Sequence, residues 1–392
     1  MPQGDRETTK EVFMFCNWSG WKRTIASWRI AILPWSGLAL LACCQSVLAQ
    51  QSVPATPASN STSVPADAQQ GTPPAATGSG GVDASALQHV ALMHLIDSIE
   101  PYYPKGEVQG EAILAGSTTM QLLGKAWSER FRQFHPEVTF TRGKDGSEAG
   151  IREISEDPRV IAGSSRPLTD SELQALKSSK CKEPMAFIVA LDPLALYVHP
   201  ENPIASVTPD QLESIFRAPG SGRPHAATWG DLGLSGPWKD RAIRIHSRSD
   251  ISGTTGFIRN WVVQGAALTR SAQVHESNEK VCSGIADDVS GIGLSGFGEA
   301  NPKVRAVPLE IQGVVVPANE SSFLAGRYPF VRPLVLVVDK SVMATDGGLR
   351  ESILRYVLSR DGQLEAVRAG FFPVDPSYIR KQLDSISGPQ IR

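Results

Sequence analysis

The chain has little net charge: 38 Lys and Arg stand against 40 Asp and Glu over 392 residues, giving −2, with no basic block. That removes the electrostatic footprint a nucleic-acid partner requires, so none is expected. Cysteine is scarce. Of five, Cys16, Cys43 and Cys44 lie in or beside the leader described below, and only Cys181 and Cys282 belong to the folded part. No Cys/His spacing suits a metal, so neither metal ligands nor a cofactor is expected. His135, His199, His225 and His246 sit beside turns or strands with no carboxylate pattern near them and read as surface or structural histidines. There is no Gly-x-Ser-x-Gly elbow and no Walker loop. Gly291 to Gly296 fits the dinucleotide string Gly-x-Gly-x-x-Gly, but it opens no helix in a βαβ unit and has no acidic partner at the right distance.

The front of the chain reads as a leader and a tether. Trp21-Lys22-Arg23 and Arg29 precede an apolar stretch, Ile30 to Leu41, broken by Pro34. It falls short of the roughly 20 apolar residues a membrane span needs. Residues 1–49 are therefore expected to be a signal peptide, cut after Val47-Leu48-Ala49, with Met14 an alternative start. Leu40-Leu41-Ala42-Cys43 also fits a lipobox, but Cys44 and further apolar residues sit awkwardly behind a lipidated Cys43. Residues 50–83 are rich in Pro, Ala, Ser, Thr and Gln, cannot bury enough apolar surface to offset ordering, and are expected to be a disordered linker. Residues 84–107 form a helical N-terminal extension, with helical periodicity from Ala84 to Ile99.

What remains, about 280 residues, suits two α/β lobes better than one core. Four segments carry its chemistry. Arg248-Ser-Asp-Ile-Ser-Gly-Thr-Thr255 follows a strand-like run, Ala242 to His246, and leads into a helix-like run, Gly256 to Val263. A helix start presents N–H groups without intrahelical partners and partial positive charge. Hydroxyl side chains and a close-approaching glycine turn such a start into an oxyanion cradle. Arg248 adds a bidentate fork, and Asp250 can orient that fork or accept a ligand proton. Ser117-Thr118-Thr119 follows Ala112-Ile113-Leu114 and precedes an amphipathic helix with Met120, Leu123, Trp127, Phe131 and Phe134 on one face. Gly146-Ser147 follows the strand Val138 to Thr141, with a helix expected from Ile151. Ser164-Ser165-Arg166-Pro167-Leu168 follows the strand Arg159 to Ala162. Hydroxyl-rich loops at the C-terminal ends of several strands fit the rule that open α/β sheets bind ligands there.

In this order, from about residue 111 to 380, the segments resemble the phosphate-binding proteins of ABC-type phosphate transporters, a branch of the periplasmic binding proteins. Leu212 to Phe216 with Thr228-Trp229-Gly230, Ser290 to Leu294, Tyr328 to Leu334, and Leu358 to Gln363 resemble further stretches of that family. The resemblance implies an α/β type II fold: two doubly wound lobes joined by two hinge crossovers, with the ligand cleft between them. Lobe one would take residues 108–192 and 330–392, and lobe two 193–329. The crossings would be Asp192 to Tyr197 and Pro329 to Val335. Cys181 and Cys282 then fall in different lobes, where a disulfide would restrain closure, so two separate thiols are expected.

The resemblance also implies the ligand set: Ser117, Thr118, Thr119, Gly146, Ser147, Ser165, Arg248, Asp250, Ser252, Gly253 and Thr254. Asp250 would hold Arg248 on the anion. Ser165 stands where some members carry an Asp that accepts the phosphate proton. Ile251 replaces a usual Gly and is expected to change the turn, since a β-branched residue avoids positive φ. Asp145 and Glu148 flank a loop that is usually Gly- and Ser-rich. A carboxylate turned inward would repel an anion, so Glu148 is expected to point outward. The implied function is capture of inorganic phosphate by an exported monomer that serves an ABC permease, without catalysis. The alternatives are an oxyanion sensor or surface module on the same fold, and a phosphate-handling hydrolase. Ser147 and Ser252 could supply a nucleophile for the last, but the sequence assigns neither a general base.

Overall fold

The computed structural model describes residues 92–387, apart from 221 and 300. The expected leader, its lipobox, the linker and residues 84–91 lie outside the described residues. The first described segment is helical at 92–97 and buries Leu92 and Ile96.

Nine strands make one curled sheet in the order β2-β1-β3-β11-β4-β7-β5-β6, with β8 pairing β4. They are β1 (Gly110–Gly116), β2 (Val138–Asp145), β3 (Val160–Ser164), β4 (Pro184–Val198), β5 (Arg244–Arg248), β6 (Gln273–His275), β7 (Gly291–Gly296), β8 (Arg305–Val307) and β11 (Val331–Asp339). A separate hairpin joins β9 (Leu309–Ile311) to β10 (Val314–Val316). In one half, β1 runs parallel to β2 and β3; in the other, β5 runs parallel to β7 and β6. Parallel neighbours need a crossover, and helices supply it. They are α1 (Gln121–Phe131), α2 (Ser147–Glu156), α3 (Asp170–Lys177), α4 (Pro209–Phe216), α5 (Gly253–Phe257) and α6 (Asn278–Ala286).

Alternation along the first-half strands shows why helices cover both faces. Ile161, Leu334 and Leu336 point into a core with Trp127, Phe131 and Tyr356, whereas Val160, Ala162, Val335 and Val337 point into a second core with Ile154 and Leu176. Side chains one residue apart on a strand leave opposite faces, so both faces are apolar and both need cover. This is the doubly wound arrangement.

The two halves share β4 and β11. The first part of β4 pairs β11 from Pro184↔Asp339 to Pro193↔Val331, and its second part pairs β7 and β8. The 15-residue β4 therefore runs through both lobes as one crossover, and β11 returns beside it. Gly291–Gly296 is strand β7, fully buried, and not a nucleotide loop. Cys181 and Cys282 are both buried, and no disulfide joins them. Burial, with the nearby Asp339 carboxylate, pushes the Cys181 thiol up to about 12, so it packs as an inert apolar group.

Candidate functional site

Three loops of the first lobe are stitched together at the strand ends. Gly116 closes β1 at φ +106, and a Cβ there would overlap the Gly163 carbonyl oxygen, so the position needs glycine. Ser117 N–H donates to Gly163 O at 2.8 Å, and Gly146 N–H donates to Gly116 O at 2.7 Å. The chain after Ser117 forms a 3-10 turn, Thr118–Met120, before α1 begins, so Thr118 and Thr119 sit on a tight turn and not in the α-helix itself. Helix α2 starts at Ser147, four residues earlier than the apolar pattern predicts. Gly146, at φ +104, ends the strand abruptly and lets the helix begin at once. Ser147 is 1% exposed and its Oγ accepts from Ser165 N–H at 3.2 Å; Ser165 is fully buried.

The second lobe contributes Arg248, the last residue of β5, only 4% exposed. Its Nε donates to His275 O (3.1 Å), Nη2 to Glu276 O (2.7 Å), and Nη1 to Asn278 Oδ1 (3.2 Å). Nη2 also reaches across the cleft to Thr118 Oγ1 at 2.7 Å. One buried guanidinium thus ties the β6–α6 loop to the first lobe. Ser252 caps α5, accepting from Thr255 N–H at 3.1 Å. The helix lasts only to Phe257 and passes into a π turn, Ile258–Val262, where the sequence predicts one continuous helix to Val263.

The lobes touch in this structure. A Cβ on Gly253 would overlap Ser165 Oγ and lie 2.9 Å from Ser147 Oγ, so the first turn of α5 rests on the two serines of the opposite lobe. A Cβ on Gly256 would meet Arg166, and one on Gly146 would meet Ile251. Beside this contact lies a cavity of about 420 Å³ bounded by Thr118, Asp145, Gly146, Arg248, Ser252 and His275. The structure therefore gathers Thr118, Gly146, Ser147, Ser165, Arg248, Ser252 and Gly253 at one inter-lobe contact. Thr254 Oγ1 joins it through Asn278 Oδ1, 3.1 Å away. Ser117 is buried beside it, its Oγ without a hydrogen-bond partner among the described residues. Thr119 is held lower, where its Oγ1 accepts from Arg332 Nη2 at 3.4 Å.

Asp250 is the exception. Its side chain is 85% exposed and pairs with Arg259 Nη2 at 3.0 Å. It does not hold Arg248, and that expectation is corrected: Asn278 and two backbone carbonyls hold it. Strand β5 stops at Arg248, so the alternation that would put residues 248 and 250 on one face ends before it applies. Ile251 takes no positive φ; it is half exposed and packs toward Gly146. Glu148 is exposed and faces Arg152 at 3.4 Å, as expected. Asp145 is exposed and bonded to Arg142 and Gln121.

Several residues escaped the sequence reading. Asn278 lies 30 positions from Arg248, at an ordinary-looking helix start after Ser277. Arg332 and Asp192 face each other across the crossovers in register, both buried, with Nε and Nη2 on one carboxylate oxygen at 2.9 and 2.7 Å. Burial pushes the Asp192 carboxyl up, and the guanidinium partly offsets it. A charged residue inside each of two apolar strand runs was the available signal. Arg166 pairs bidentately with Glu172, which also closes the capping box of α3 with Thr169. His246 has a carboxylate partner after all: its Nε2 lies 3.3 Å from Asp288 and its ring stacks on His275. Burial lowers the pKa of His246 below the ordinary imidazole value.

Two lobes on shared crossover strands, with hydroxyl-rich loops facing a buried arginine across the cleft, define a binding protein of the two-lobe kind. The chain belongs to the PBP superfamily, whose domain model matches residues 102–359. Among its relatives is the phosphate-binding protein PstS of Pseudomonas aeruginosa, 30% identical over 309 residues, covering 77% of this chain and 95% of that one. The PstS of Staphylococcus aureus is 26% identical over 289 residues, covering 72% and 83%. Among solved structures, a putative phosphate ABC transporter substrate-binding protein from Clostridium perfringens, with bound phosphate, matches at TM-score 0.54 and 25% identity, over 68% of this chain and all of that one. An ABC-type phosphate transport receptor from Vibrio cholerae matches at TM-score 0.55 and 22% identity over the same shares, a likeness of fold. These relatives are binding proteins and not enzymes. Among the described residues no helix is long and apolar enough to cross a membrane.

Proposed function

We propose that this chain is an exported phosphate-binding protein that captures inorganic phosphate between its lobes and delivers it to an ABC-type permease, working as a monomer and without catalysis. The observation that carries this reading is Arg248. It is a buried guanidinium, anchored on three sides in the second lobe, whose Nη2 reaches Thr118 of the first. The start of α2, the 3-10 turn at Thr118 and the start of α5 add N–H groups and partial positive charge on both sides of the same contact. An anion seated there would bond to both lobes at once, so binding and closure would be one event. The PstS relatives, matched over most of their length, support the same ligand, and the phosphate ABC transporter substrate-binding protein of Clostridium perfringens supports the same kind of transporter. Export through the leader, with cleavage after Ala49 and residues 50–83 as a tether, completes the proposal.

The test is calorimetric titration of the mature protein, stripped of bound anion, with phosphate and then sulfate. Saturable phosphate binding is expected, and Arg248→Ala should weaken it about thirtyfold or more, since truncating one partner of a buried charge pair costs roughly 2–5 kcal/mol. Absence of heat and of thermal shift with either anion would reject phosphate as the ligand.

A further inference from the structure

Three titratable side chains form a line that ends at the inter-lobe cavity. Asp288 follows α6, His246 lies on β5 and His275 ends β6. His246 Nε2 is 3.3 Å from Asp288 Oδ2, and His246 Nδ1 is 3.0 Å from His275 Nε2. His246 is 2% exposed, whereas His275 borders the cavity together with Arg248. His246 and Arg248 stand two apart on β5 and so leave the same face, and His275 is opposite Arg248 in the β5–β6 register. Helix α6 covers both rings at Gly284, where a Cβ would lie 2.5 Å from His246 Nδ1 and 2.8 Å from His275 Cε1. His275 also gives its carbonyl oxygen to Arg248 Nε, so the line bears on the anchor of the guanidinium.

Proton accounting fixes the neutral state. The Asp288 carboxylate only accepts, so His246 Nε2 carries a proton toward it. A neutral His246 then has a lone pair on Nδ1, and His275 Nε2 must donate to it. A neutral His275 keeps its own lone pair on Nδ1. A further proton enters there, and the Nε2 proton can then pass to His246 Nδ1, leaving an imidazolium beside Asp288. The groups around the pair pull in opposite directions. Asp288 favours that charge, while Arg248 opposes it and Arg244, 3.5 Å from Asp288 Oδ1, competes for the carboxylate. Asp145 and Glu276 also border the cavity, and Glu279 and Lys280 of α6 are exposed. Without an anion, burial lowers the pKa of both rings, with Arg244 adding to it at His246, and His246 and Arg248 adding to it at His275. An anion on Arg248 offsets the charge that opposes the proton.

We propose that His246 and His275, braced by Asp288, are positioning residues for Arg248 that take up a proton from solvent when the anion binds. Linkage is reciprocal: an anion that raises the proton affinity of the pair binds more tightly where the pair is protonated. Affinity therefore gains as pH falls through the range in which the pair titrates, and the gain is absent above that range. The inference rests on the phosphate reading above and adds a proton taken up by the protein itself on capture.

The experiment counts the protons exchanged on phosphate binding, by calorimetry in two buffers of different ionisation enthalpy, between about pH 5 and 8 where histidine titrates. It compares the wild-type chain with His275→Gln, whose amide keeps an N–H for His246 Nδ1 but takes no proton. Phosphate's own titration contributes to both chains, so the difference between them reports the imidazoles. Wild type should take up more protons than His275→Gln at the acid end. Its affinity relative to the variant should improve about fivefold from the alkaline to the acid end, the lower range of coupling between sites. Proton NMR of the wild-type imidazoles, with and without saturating phosphate, carries the same test if the variant fails to fold. The His246 or His275 resonances should then titrate at higher pH in the bound state. Equal proton uptake in both chains, or titrations of these two rings unmoved by phosphate, would overturn the proposal and leave the pair as packing. A wild-type chain that binds no phosphate would overturn the functional reading and this inference with it.

Discussion

Gly116 and Gly253 both lack a side chain for want of space, but the space belongs to different partners. At Gly116 an added Cβ would strike the neighbouring strand end of the same lobe, and φ is +106. Gly116→Ala should therefore destabilise the fold by roughly 2–4 kcal/mol in urea unfolding. At Gly253 the obstacle is Ser165 of the opposite lobe, and the backbone is not in the left-handed region. Gly253→Ala should leave unfolding within about 1 kcal/mol of wild type yet weaken phosphate binding strongly, because it blocks closure. A large loss of stability there would contradict the inter-lobe placement. At this scale the sequence made the loop residues legible, because each follows a strand and precedes a turn. It could not supply Asn278, whose contact with Arg248 spans 30 positions, and it misread Asp250, where nearness along the chain stood in for nearness in space.

Strands were easier to read than helix starts. Short apolar runs marked β1, β3 and β5 and an alternating run marked β2, each to within a few positions; β3 is buried throughout, whereas β2 is largely exposed. The start of α2 was missed because apolar periodicity begins at Ile151, whereas the backbone turns at Gly146. The crossovers hold the feature with the largest expected energetic effect. Arg332 is fully buried against Asp192 on adjacent strands. Arg332→Met would leave an uncompensated buried carboxyl, and a loss of about 3–5 kcal/mol is expected in chemical unfolding. The double variant Arg332→Met with Asp192→Leu removes both charges and should recover most of that loss. If the double variant is as unstable as the sum of the singles, the pair does not act as a unit.

The whole molecule follows from sharing. One long strand and its antiparallel return serve both halves of a single curled sheet, so the strand ends of both halves meet over one cleft. The order of the loops along the chain made this arrangement readable in advance, while the contacts that shut the cleft came only from three dimensions. A crystal structure of the mature protein grown with phosphate should show a tetrahedral anion between the lobes, bonded to the Arg248 guanidinium, the Thr118 and Ser147 hydroxyls, and backbone N–H groups at the start of α5. An anion bound elsewhere, or closed lobes with Arg248 still on Thr118 and no anion between them at saturating phosphate, would contradict this placement.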